Sequence, residues 1–233
     1  MARRKQNMTR HEIIKVAAQF FLEKGYSHTS PKMICDELDM STGNLTYYFP
    51  SKEDLLAVLT QILCEFQRKQ INDEVNEGNS SVIAVCLEMA IMAAMAAQDE
   101  VAKDLFVSIY LSSLCLEIVR KNDTERAKLV FNDYCPDWSD EQFAEAEVLV
   151  SGVEYATLMT TDDSLPLKVR ISGAINNILT IFCVPEEIRK AKIARVLAMD
   201  YEKIAKRVLK DFKAFVEEAT EEGLYNGYEK IDA

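Results

Sequence analysis

Glycine and proline are scarce, seven and five in 233 residues. A chain of short strands needs many more of both for its reversals, so an all-β fold is excluded and long helices are favoured. Histidine is rarer still: His11 and His28 are the only two, both near the N-terminus. The remainder of the chain therefore lacks the commonest general base and zinc ligand, and neither a metal nor an enzyme is expected. The glycines stand apart from one another, which leaves no phosphate-cradling loop, no G-x-S-x-G elbow and no dinucleotide fingerprint, and so no cofactor. Cys35, Cys64, Cys86, Cys115, Cys135 and Cys183 form no C-x-x-C pair. The first residues, Met-Ala-Arg-Arg-Lys, lead into polar sequence rather than an apolar segment, so reduced thiols and a cytoplasmic location are expected. The longest apolar run, 82–97, is too short for a bilayer and contains Glu88. No membrane partner is expected.

Charge is present in plenty but unevenly placed. The net charge of −11 argues against a polyanionic partner until it is divided. Residues 1–55 hold eight Lys and Arg against seven Asp and Glu, a net of +1, while the rest of the chain carries −12. A near-neutral head on an acidic body meets a polyanion only through the head.

Periodicity then divides the chain into helices. Thr9 with Glu12 makes a capping box for a first helix to Lys24, with Ile13, Ala17, Phe20 and Phe21 on one face and Gly25 behind it. Thr29 or Ser30 caps a second helix with Pro31 in its first turn, burying Ile34 and Leu38. Ser41 caps a third, 42–48, which stops before Pro50. Ser51 with Asp54 opens a fourth, 54–77, which ends at Gly78, Asn79 and Ser80. Further helices are expected at roughly 80–98, 101–121, 124–134, 139–161, 166–183, 186–198 and 200–221, parted at Asn122-Asp123, Pro136, residues 161–166 and Pro185.

Three short helices with the tight turn Asp39-Met40-Ser41 between the last two make a helix-turn-helix, Met40 plugging the crossing and Leu45 and Phe49 facing inward. Residues 14–56, IKVAAQFFLEKGYSHTSPKMICDELDMSTGNLTYYFPSKEDLL, carry A-x-x-x-F-x-x-x-G-Y, the capping Thr-Ser pair and G-N-L-x-Y-Y-F-x-S-K-E-x-L-L. This pattern resembles the DNA-binding domain of the TetR family. The resemblance implies an all-α protein with an N-terminal three-helix helix-turn-helix domain, residues 1–53, joined by helix 54–77 to a larger helical-bundle domain for regulation and dimerisation within 54–233. It implies groove contacts from Thr42, Gly43, Asn44 and Thr46, contacts of Tyr47 and Tyr48 to sugar-phosphate or thymine methyls, and phosphate contacts from Lys52 and Lys32. Thr46 stands where the family usually has an aromatic residue, so no operator sequence is inherited. Arg3, Arg4 and Lys5 form either a tail or an arm reaching the DNA.

The function so implied is transcription regulation: a homodimeric repressor bound to a palindromic operator in double-stranded DNA and released by a small, largely apolar ligand. The alternative is a ligand-independent DNA-binding protein whose acidic body docks a protein partner. By the same resemblance, the segments 139–161 and 167–183 form the dimer bundle, Gly152 and Gly173 allowing close approach, with the final helix as the alternative seam. The candidate pocket lining is Phe66, Glu88, Met89, Met92, Phe106, Tyr110, Leu114 and Tyr155, either pocket or plain core. Glu88 stands out among them, because a carboxylate in so apolar a helix needs a partner, a proton or water.

Overall fold

The computed structural model describes residues 10–75, 81–161 and 163–219, and these form helices without a strand. In order they are α1 (Arg10–Glu23), α2 (Pro31–Glu37), α3 (Thr42–Tyr48), α4 (Lys52–Val75), α5 (Val82–Gln98), α6 (Glu100–Leu111), α7 (Ser113–Phe131), α8 (Asp140–Leu158), α9 (Leu167–Ile181), α10 (Glu186–Ala198) and α11 (Tyr201–Glu218). The expected basic arm, the Thr9 cap, the Gly78 break and Asp162 lie outside the described residues.

Side-chain caps set most of the boundaries. The Ser30 hydroxyl accepts from Met33 N at 3.3 Å, and Ser41 accepts from Asn44 N at 3.2 Å. Ser139 and Gln142 make a reciprocal capping box. The turn between α2 and α3 is a Schellman motif: Asp39 takes φ 50, and Met40 N reaches back to Cys35 O at 3.0 Å. One boundary differs from the sequence expectation. The chain breaks at Ser112, not at Asn122-Asp123, and α7 runs unbroken through the latter pair. Asn122 folds its amide back onto Ile118 O at 3.0 Å and across to Gln61 Oε1 at 3.0 Å, so it ties α7 to α4 instead of ending a helix.

Helix α5 is the axis of the body. It is buried on every side and packs against α4, α6, α8, α9, α10 and α11. Helix α1 lies across α4, α6 and α11, so the apolar residues of the head and the body form one continuous core. The most amphipathic element is α11, whose Ile204, Ala205, Val208, Phe212 and Val216 turn inward. Phe212 is 1% exposed, with its ring 5.1 Å from that of Phe66.

Removing that ring tests the seam between α11 and α4. Phe212→Ala is expected to cost about 3–5 kcal/mol, lowering the midpoint of thermal unfolding by roughly 10 °C as followed by circular dichroism. A shift of only a degree or two would contradict this packing.

Candidate nucleic-acid interface and ligand cavity

Only Leu45 of α3 is buried. Thr42, Gly43, Asn44, Thr46 and Tyr47 are exposed, and Tyr48 is half-buried with its ring edge-on to Tyr47. Tyr47 is 83% exposed, which costs apolar surface and serves no packing within this chain. A Cβ at Gly43 would meet nothing closer than Ser41 Oγ at 3.9 Å, so the fold itself does not demand glycine there. Thr46 donates its hydroxyl proton inward to Thr42 O and Gly43 O, both at 3.1 Å. Outward it offers a methyl group and acceptor lone pairs, never a donor. Lys32 is exposed at the start of α2. Together these side chains form a neutral, hydrogen-bonding ridge of the width of one helix, suited to a major groove.

Lys52 does different work from the phosphate contact expected of it. Its Nζ donates to Tyr26 O and Thr29 O, each at 3.0 Å, and sits 3.9 Å from the centre of the Tyr26 ring. Burial lowers its pKa, while the charge of Asp104 opposes that shift. The ammonium thus fastens the α1–α2 loop and reaches a phosphate only by abandoning two carbonyls. The same loop is held from the body. Asp104 of α6 accepts from Ser27 N at 2.9 Å, and Gly25 takes φ 95 so close to it that an added Cβ would lie 2.8 Å from Asp104 Oδ2. A carboxylate of the body therefore holds this loop of the head.

A cavity of about 80 Å³ lies among α4, α5, α6, α7, α8 and α9. Of the expected lining, Glu88, Met89, Met92, Phe106 and Tyr110 are there. Phe66, Leu114 and Tyr155 are not. The Phe66 ring is engaged by Phe212 and Phe215, Leu114 is half-buried against the core, and Tyr155 lies 6.4 Å from the Tyr110 ring without reaching the cavity. The stacked pair Phe131 and Phe182, ring centres 4.1 Å apart, closes one side.

The larger correction is chemical. The lining is not an apolar surface with a single carboxylate, because Asp123, Glu147 and Glu154 join Glu88 there, with Arg68 and Arg126. Glu88 is ion-paired to Arg126, which is itself 7% exposed. Glu154 accepts from the Tyr110 hydroxyl at 2.8 Å. Burial, and after it the charge of Glu88, pushes Asp123 up to about 7. Burial and then Asp123 push Glu154 up to about 8, against the pull of the Tyr110 bond. Glu147 is 4% exposed, and burial followed by Asp123 and Glu154 takes it to about 10. Among the described residues no group of three or more His, Cys, Asp or Glu is arranged to hold a metal ion, and no helix is long and apolar enough to cross a membrane.

A short helix with an outward neutral ridge, set by a capped turn on a helical body, defines a helix-turn-helix DNA-binding transcription regulator. Residues 13–59 match the family described as bacterial regulatory proteins, tetR family. Among solved structures, the chain is similar to a gamma-butyrolactone receptor (ArpA-like protein) at 20% identity, over 87% of this chain and 97% of that one, with a TM-score of 0.40. It is similar to AmtR of Mycobacterium smegmatis at 18% identity, over 85% and 99%, TM-score 0.39. For CprB from S. coelicolor the figures are 21% identity, 86% and 97%, TM-score 0.39. No curated protein matches the sequence.

Two measurements check this geometry. Lys52→Met should lower stability by about 2 kcal/mol, because a charged donor to two carbonyls is lost, and should leave the salt dependence of DNA binding unchanged. A salt slope reduced by about 1 per head would return Lys52 to the phosphates. The second concerns pH. Glu147 holds a proton in the folded protein that the unfolded chain gives up near the ordinary carboxylate value, so folding loses stability as pH rises from there towards about 10. Glu147→Gln should therefore raise the melting midpoint at pH 8 by on the order of 5 °C, with little gain at pH 5. An equal gain at both would place Glu147 in water.

Proposed function

We propose that the protein is a homodimeric repressor that holds a palindromic operator with two copies of α3 and releases it when a small molecule fills the cavity. In this reading residues 1–53 read DNA, and residues 54–233 bind the ligand and dimerise. The observation that carries it is the double duty of α6. Phe106, Ile109 and Tyr110 line the cavity, while Asp104, less than one turn away, holds the α1–α2 loop of the head through Ser27 N. A guest that moves α6 moves the head. It acts only by preferring one head spacing, and a preference of about 100-fold is worth roughly 2.7 kcal/mol, enough to release an operator of moderate affinity.

Dimerisation is supported by a face left open on α8 and α9. Val148, Leu149 and Val169 are exposed, and neither Gly152 nor Gly173 has a neighbouring atom within 4 Å of an added Cβ. Two such helices from each of two protomers make a four-helix bundle, and a pair of heads supplies the base pairs that one seven-residue helix cannot.

Selection of bound sites from random double-stranded DNA should return an inverted repeat with half-sites related by about one helical turn or a multiple of it. Gly152→Leu should yield folded monomers in sedimentation, since its side chain meets open space within the subunit, and should weaken binding to the repeat by more than about 100-fold. A wild-type monomer that selects an unrepeated site would sink the dimeric reading.

A further inference from the structure

The cavity's charges do not balance. Its lining holds Cys64 and Arg68 from α4, Glu88 from α5, Tyr110 from α6, Asp123 and Arg126 from α7, and Glu147 and Glu154 from α8. Helix α9 adds only Ile178 and Phe182. Arg126 is ion-paired to Glu88, and Arg68 lies close enough to Asp123 to lower its pKa. Neither Glu147 nor Glu154 has an ion pair among the described residues, although the charge of Arg126 acts on both. Glu154 has its one bond from Tyr110. Glu147, 4% exposed, makes no hydrogen bond or ion pair among the described residues. A buried carboxyl without a donor is costly, and in an empty cavity it meets that cost by keeping its proton.

Resting on the reading of this cavity as a ligand site, we propose that its ligand is a compact organic cation, a protonated amine or amidine on an apolar body of about ten non-hydrogen atoms. The size follows from the cavity, which has room for roughly five to eight waters. The cationic group replaces one proton of the Glu147 and Glu154 pair, and that proton leaves to solvent. Met89, Met92, Phe106 and Ile109 take the apolar body, and the Tyr110 ring lies on the same lining. An anion fits badly. It would meet four carboxyl groups for two guanidiniums, of which Arg126 is already paired to Glu88, although Arg126 Nε and Nη2 and Arg68 Nε have no acceptor. Those donors suit a hydroxyl or carbonyl oxygen on the same cation, or water. A metal ion is not the answer either, because the carboxyls are not grouped as metal ligands.

Calorimetric titration of the full-length protein with phenethylamine, phenethyl alcohol and phenylacetate tests this, the three probes sharing one body and differing in charge. Phenethylamine should bind at least about tenfold more tightly than the alcohol, and phenylacetate should not bind. Its heat should change with the ionisation enthalpy of the buffer, because protons are released. Its affinity should rise up to about tenfold between pH 6.5 and 7.5, the limit for one proton. Glu147→Gln and Glu154→Gln should each weaken phenethylamine about tenfold and leave the alcohol unchanged, which also reports that the variants are folded. Equal or tighter binding of the alcohol or of phenylacetate overturns the cation and leaves the receptor reading standing. Failure of all three to bind at millimolar concentration overturns the cation as well. Operator binding, followed by fluorescence anisotropy with the selected DNA, separates the two readings. Phenethylamine that binds with proton release but leaves operator affinity unchanged supports the cation site and removes its regulatory role.

Discussion

Helix α5 has no face to give to water, yet it carries a carboxylate at its middle. That combination constrains the rest of the body. Burial on every side demands six neighbouring helices, and Glu88 demands a cation besides. Arg126 answers from α7, and placing it there draws Asp123, one turn earlier on the same helix, towards the same interior. Helix α8 then brings Glu147 and Glu154 to the cavity. An interior that began with one compensated charge ends with several carboxyl groups, and the space between them cannot be closed by apolar packing without stranding them. The cavity is thus a consequence of a polar cluster that the core cannot collapse onto.

The path from that cluster to the DNA-reading helix is short because α6 belongs to both. Its inward face lines the cavity, and Asp104 holds the loop that Lys52 fastens from the other side. The head is not a separate bead on a linker. Its α1 shares the core with α4, α6 and α11, so a displacement of α6 has no slack to absorb it.

The head was legible in the sequence because its determinants are local. Ser30 and Ser41 cap, Pro31 opens, Asp39 turns and Pro50 stops, each within a few residues of what it controls. Glu88 was legible for the opposite reason, as the one carboxylate in an apolar run. Asp123 and Glu147 were hidden. Each sits among polar neighbours, Lys-Asn-Asp-Thr-Glu-Arg and Asp-Glu-Gln-Phe-Ala-Glu-Ala-Glu, that read as solvated helix faces. Helix α8 buries Phe143, Ala146 and Val150 while leaving Val148 and Leu149 outside. With apolar residues on two faces, its periodicity does not reveal which one is inward. The bonds of Lys52 were hidden because the carbonyls it binds lie 26 and 23 residues away, a distance over which side-chain pattern carries no information.

The outward ridge of α3 carries no charged side chain, and the body behind it is acidic. Contact with arbitrary DNA releases counterions in proportion to the phosphates neutralised, and a ridge without charge neutralises none. Under the proposed function, that ridge adds little to the affinity for wrong sequences. In a genome, where nonspecific sites outnumber an operator by many orders of magnitude, a repressor of that kind would be little sequestered along the chromosome. It would gain discrimination by holding loosely everywhere else, so that a small number of molecules keeps one site occupied.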